Sequence, residues 1–172
     1  HWGRYTIVTF GARWLDVNLM AEFDRDQGRS ITTDRLREAL EKQKYWPDLI
    51  LDGMRKFDDP ETRDRKLKNH TGYHKRILEG IVLSQEFINF VQDHKRRILE
   101  PARVEESGYY VASRDHTTKR IFIWCRSGRH RSVALAVLLK ACLEVEGHDV
   151  QVIHLQKSWK HLCGGPKGGW RK

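Results

Sequence analysis

Ile121-Phe122-Ile123-Trp124-Cys125-Arg126-Ser127-Gly128-Arg129-His130-Arg131-Ser132 is the stretch whose reading decides the fold. An apolar β-branched and aromatic run leads into a short glycine-containing turn, and the turn opens onto an apolar segment, residues 131 to 146, that reads as a helix closed by Gly147. A strand, tight turn and helix in succession leave backbone N–H groups at the turn without intrahelical partners. The helix dipole adds roughly half a positive charge at the same place. Arg126, Arg129 and Arg131 add guanidinium forks that suit phosphate oxygens. The spacing from Cys125 to Arg131, five intervening residues and then Ser132, also matches the nucleophile loop of cysteine-dependent phosphatases. Two readings stay open at this point: the segment holds a phosphate, or it cleaves one.

Working outward, strands and helices alternate. Arg4 to Phe10, ending at Gly11, reads as a first strand, and Thr33 to Lys44, with Leu36, Ala39 and Leu40 at helical spacing, as a helix. Asp48 to Asp52 reads as a short buried strand. It delivers Asp52 and Arg55 into a polar loop that runs through Asp59 and Pro60 into the charged stretch Glu61 to Lys68. Ser84 caps a predicted helix whose Phe87, Phe90, Val91, His94 and Ile98 share one face. Pro101 to Lys119 reads as a loop, and Val150 to His154 as a final strand. The pattern predicts an α/β fold with a mostly parallel sheet and helices on both faces. Ligands of such sheets bind at the carboxyl ends of the strands, where Asp52, Arg55 and Cys125 fall. There is no Walker A sequence and no internal repeat.

Composition narrows the partners. In 172 residues, 32 Lys and Arg face 23 acidic residues, a formal charge of +9. That excess favours polyanions such as RNA, nucleotides or an anionic membrane surface. No stretch approaches the roughly 20 apolar residues of a membrane span. Three cysteines without regular spacing, Cys125, Cys142 and Cys163, read as thiols of the cytoplasm or another reducing compartment. The start at His1 rather than Met reads as an excised domain or processed fragment.

The order of motifs resembles the carboxy-terminal domain of the RNase adapter protein RapZ and its relatives. That family's strand-to-helix segment reads approximately Cys-Thr-Gly-Gly-x-His-Arg-Ser-Val, and Cys125, Gly128, His130, Arg131, Ser132 and Val133 stand in the matching places. Phe10-Gly11 is similar to its Ser-Phe-Gly, and Leu49 to Pro60 to its Asp-x-Arg segment ending in Asn-Pro, with Asp59 for Asn. Thr71-Gly72 and Val82-Leu83-Ser84-Gln85 with Phe87 and Phe90 match its Thr-Gly and its Val-Leu-Ser-Gln helix entry. The likeness spans roughly residues 5 to 155. Arg126 and Ser127 replace the family's Thr and first Gly. The resemblance implies an α/β domain, residues 1–155, that binds RNA, senses a small phosphorylated sugar or nucleotide-like ligand and assembles as a homo-oligomer. It implies no catalysis, since nucleotide hydrolysis in the family belongs to an amino-terminal P-loop domain that this chain does not contain.

The expected ligand site therefore comprises Cys125, Arg126, Ser127, Gly128, Arg129, His130, Arg131 and Ser132, with Asp52, Arg55, Thr71 and Gly72 across from them. The loop at Thr71-Gly72 is expected to offer a hydroxyl and an N–H to the far side of an anion, flanked by His70 and His74, and Asp52 to orient the Arg55 fork. In the plainer reading Asp52 caps its strand and Arg55 pairs within the loop. No cofactor is expected beyond a bound phosphate, sulfate or phosphorylated metabolite. The catalytic alternative takes Cys125 as nucleophile, Arg131 as phosphate ligand and Asp115, in a loop, as acid in preference to Asp93, which falls in a predicted helix. The tail from residue 156 to 172 interleaves cations with tryptophan, and Lys157, Trp159, Lys160, Lys167, Arg171 and Lys172 are candidate RNA contacts; a solvated tail is the alternative. Lys95-Arg96-Arg97 reads as a solvated helix face or a further RNA contact. His154, His161 and Cys163 lack an evident fourth ligand for zinc, so no metal site is assigned. Trp2, Trp14 and Trp46 are expected in the core or at an interface.

Overall fold

The computed structural model describes residues 3–26, 28–55, 57–101 and 118–156. Within them four strands form one sheet in the order β2-β3-β1-β4, every pair parallel. The strands are β1 (Arg4–Gly11), β2 (Leu49–Asp52), β3 (Thr118–Cys125) and β4 (Asp149–His154). Between β1 and β2 lie a 3-10 turn (Ala12–Trp14), α1 (Val17–Asp26) and α2 (Thr33–Lys42). Between β2 and β3 lie α3 (Pro60–Arg63), a second 3-10 turn (Arg65–Asn69), α4 (Lys75–Val82) and α5 (Gln85–Leu99). The helix α6 (Arg131–Val145) joins β3 to β4.

Period-two alternation in the strands sorts the core into two layers. Tyr5, Ile7, Leu49, Leu51, Ile121 and Ile123 pack with α4, α5 and α6. The intervening Val8, Phe10, Ile50, Phe122 and Trp124 pack with Leu15, Leu19, Leu36 and Leu40 on the other face. Because both faces are covered there, β2 and the second half of β3 read as continuous apolar runs, whereas β4 at the sheet edge leaves Asp149, Gln151 and Ile153 exposed. α6 is central to the first layer: Arg131 through Ala136 are all buried. Lys119 fastens the end of α5 to β3, its ammonium donating to the carbonyls of Arg97 and Glu100 at the negative end of the helix dipole.

The strand order sets the location of the site. After β1 the chain turns to α1 and α2 on one face. After β3, the strand beside β1, it turns to α6 on the opposite face and crosses to β4. Loops leaving two adjacent parallel strands in opposite directions open a crevice at their carboxyl ends. Here that point falls between Gly11 and residues 126–130.

Three expectations change. β3 begins at Thr118, so the loop read through Lys119 ends earlier. The charged stretch after Asp59 is not a continuous loop but holds α3 and a 3-10 turn. Of the tryptophans expected in the core or at an interface, Trp14 and Trp46 are 59% and 38% exposed, which removes the core alternative; Trp2 lies outside the described residues.

Candidate phosphate site at the start of helix α6

Residues 126–130 form a tight turn between β3 and α6, made possible by Gly128 at φ +67°, a conformation that side chains disfavour. Two other segments press backbone to backbone against it. A Cβ on Gly11 would come within 2.4 Å of the Ser127 carbonyl carbon, and one on Gly72 within 2.3 Å of both Ala134 N and His130 O. Hydrogen bonds lock the same contacts: Arg13 N donates to Arg126 O (3.1 Å) and Gly72 N to Arg129 O (2.8 Å). Gly11 N donates to Gln156 Oε1 (2.6 Å), so the exit of β4 also meets the turn.

The start of α6 differs from those of its neighbours. α2, α3, α4 and α5 each open on a side-chain cap: Thr32 accepts from Arg35 N, Asp59 from Glu61 N, His74 from Arg76 N and Ser84 from Phe87 N. At α6 the N-cap residue is His130, whose side chain makes no such bond. Yet this is a buried helix start, with Arg131, Ser132, Val133 and Ala134 at most 8% exposed. First-turn N–H groups have no intrahelical acceptors, and a buried uncapped start is where an anion is stabilised.

The side chains of the turn have separate tasks. His130 is buried, with Nε2 at 2.7 Å from the His70 carbonyl oxygen and Nδ1 at 3.6 Å from Asp59. Arg131 donates through Nη1 to the carbonyls of Met54 (2.9 Å) and Phe57 (3.0 Å), and its Nη2 lies 3.8 Å from Asp59. The His130 ring facing it, helped by the Glu61 N–H and the Arg131 charge, outweighs the opposing effect of burial and holds the Asp59 carboxyl down at about 2. Arg129 donates to Glu61 (2.9 Å), and Arg126 reaches to 4.0 Å from Asp24 at the rim. Cys125 is 2% exposed and its thiol donates to Ser132 Oγ at 3.1 Å.

Across from the turn, Thr71 and Gly72 do face it. Thr71 is wholly buried and its Oγ1 accepts from Tyr73 N (3.2 Å), while the Gly72 N–H expected to meet an anion is engaged by Arg129 O. Asp52 Oδ1 accepts from Met54 N and Arg55 N, capping the strand end, and its Oδ2 lies 3.4 Å from Arg55 Nε, so the carboxylate also orients the Arg55 fork as expected. Arg55 donates to the carbonyls of Gly28 and Ile31 and lies 5.4 Å from the Trp124 ring centroid, on the α1–α2 side of the sheet. Together Asp52 and Arg55 shape the loop beside the turn.

Phosphatase chemistry needs a thiolate facing the loop centre and an arginine fork free for the phosphoryl oxygens. Here the Cys125 thiol is buried against Ser132 and the Arg131 fork is engaged by the loop after β2. Asp115, Lys157, Trp159, Lys160, Lys167, Arg171 and Lys172 lie outside the described residues, as do His161 and Cys163. His154 sits with Nδ1 at 2.6 Å from Thr9 Oγ1 and Nε2 at 2.8 Å from the Tyr73 hydroxyl, a phenol pushed up by burial. Both its ring nitrogens are engaged, and no metal-binding cluster occurs among the described residues. No helix among them is long and apolar enough to cross a membrane.

Sequence reasoning named the turn but not its supports. Asp59, Glu61 and Gln156 join the site only through folding. Gly11 carried a signal, being the glycine that ends β1 where β1 abuts β3.

A comparison with protein families matches the RapZ C-terminal domain over residues 33–158. No curated protein matches the chain. The matched region takes in every element from α2 to β4, the strand-turn-helix at residues 121–132 included, and the chain belongs to the RapZ C-terminal domain family.

Proposed function

We propose that this domain binds a phosphorylated ligand at the start of α6 and acts as a non-catalytic sensing module of an RNA- or nucleotide-binding adapter. The observation that carries the reading is the buried start of α6, without a side-chain cap, at the crossover point of the sheet. Amide groups of residues 127–132 and the Ser132 hydroxyl supply donors. Arg126 and Arg129 stand at the rim, and Thr71 and Gly72 close the far side. Arg131 and Asp59 hold the loop after β2 in place, which suits binding rather than turnover. The +9 charge and the family support RNA or nucleotide as the larger partner. The cytoplasm or another reducing compartment, read from the irregular cysteine spacing, is part of the same proposal. Self-association is part of the reading, with exposed Val82, Leu83 and Ile88 as surface to cover.

The test is thermal unfolding with inorganic phosphate titrated against chloride at constant ionic strength. Binding to the native state raises Tm with phosphate concentration by mass action; a Tm that follows ionic strength alone refutes the site. An aryl phosphate is expected to show no turnover, and turnover abolished by Cys125→Ser would restore the catalytic reading. RNA affinity is expected to fall steeply with salt, and salt-insensitive binding would contradict the electrostatic part.

A further inference from the structure

Beside the cradle stands an aromatic group that neither the core nor the phosphate reading uses. Trp14 ends the 3-10 turn directly after β1 and is 59% exposed, although its neighbour Ala12 is fully buried and Leu15 nearly so. Its position is fixed from both sides: the preceding Arg13 N–H is tied to the cradle at Arg126 O, and the following Leu15 carbonyl accepts from the Gln43 side chain (2.5 Å). Arg13 extends its guanidinium to 5.4 Å from the Trp14 ring centroid. The Arg13 Nε–H is buried and finds no acceptor among the described residues. An unpaired buried donor carries a desolvation cost that an incoming acceptor removes. A half-open indole on a backbone anchored at both sides, a guanidinium beside it and an orphan donor, one residue from a phosphate cradle, are what a nucleobase linked to that phosphate needs.

We propose that Arg13 and Trp14 form the base-reading edge of this site, so that its ligand class is a nucleoside 5′-phosphate, with the phosphate on the α6 amides and the base stacked on Trp14. The inference rests on the phosphate reading above and adds the identity of what the phosphate carries. A sugar phosphate without a base would leave the indole unused. A nucleoside 5′-phosphate has two sources, a free mononucleotide or the 5′ end of an RNA, and both present the same chemistry.

The experiment is calorimetric titration of the full 172-residue chain with inorganic phosphate, ribose 5-phosphate, adenosine 5′-monophosphate, and a trinucleotide with and without its 5′-phosphate. Adenosine 5′-monophosphate is expected to bind about tenfold or more tightly than ribose 5-phosphate. Trp14→Ala should bring it down to the ribose 5-phosphate level while leaving ribose 5-phosphate itself unchanged, and Trp14→Phe should retain part of the gain. A trinucleotide that needs its 5′-phosphate and outbinds the mononucleotide, with the same dependence on Trp14, supports the proposal and places the ligand at an RNA end. Tighter mononucleotide binding supports it and identifies a free nucleotide. Equal binding of the nucleotide and the sugar phosphate, or equal losses of both in Trp14→Ala, overturns the base-reading edge and leaves the phosphate site standing. No binding of any probe, inorganic phosphate included, overturns both.

Discussion

Asp59→Asn isolates the electrostatic support beneath the cradle. Asn is as good an N-cap as Asp, so the cap on Glu61 N at the start of α3 survives, while the charge facing His130 and Arg131 is lost. The wild-type carboxyl is held at about 2 against an ordinary 3.8, and each unit of such a shift corresponds to about 1.4 kcal/mol. With the side chain 32% exposed, solvent screening brings the contribution to about 1–2 kcal/mol. A depressed carboxyl stabilises the native state above its unfolded value, so the contribution is complete above about pH 4 and disappears as pH falls through about 2. Urea unfolding of both proteins at several pH values should therefore show Asp59→Asn less stable by about 1–2 kcal/mol at pH 7. The gap should close toward pH 2. A gap that is absent at pH 7, or that stays constant across the range, refutes the assignment of Asp59 as the charged partner of His130 and Arg131.

Two further substitutions probe the geometry. Gly72→Ala places a methyl against Ala134 N and His130 O, backbone atoms that yield only if the first turn of α6 moves; a loss of about 1–3 kcal/mol and of phosphate binding is expected, and a crystal structure with the turn unmoved would contradict the packing. Arg55→Met removes the donors to Gly28 O and Ile31 O, so amide exchange should rise around residues 28–31 while phosphate affinity changes less than twofold by calorimetry. A large loss of affinity would instead make Arg55 a ligand contact.

The turn at 125–132 was legible because every signal for it is contiguous: an apolar run, a glycine, then an apolar helix. β1, α2, β2, α5, α6 and β4 were legible from periodicity and caps. α1 and α4 were not: α1 mixes Asp, Asn, Glu and Arg with its apolar positions, and α4 is short, holds Gly80 and follows a run of charge. Residue type also misdirects where it fixes charge but not direction. Arg131 carries the fork a phosphate wants, yet its Nη1 donates to two carbonyls of the loop after β2, a partnership between residues 74 and 77 positions apart. Asp59 read as part of a polar loop, whereas its position under His130 exists only once α3 and α6 meet. Trp14 was expected in the core or at an interface, a choice that residue type cannot make; the turn that follows Gly11 leaves it at the surface beside the cradle.

The central claim is that the start of α6 is an anion site, and the most direct measurement is a two-dimensional amide NMR titration of the full chain with inorganic phosphate at constant ionic strength. Saturable shifts concentrated on the amides of residues 127–132 are predicted, with one common dissociation constant. Shifts that fail to saturate and spread over surface Lys and Arg, leaving those amides unmoved, would contradict it.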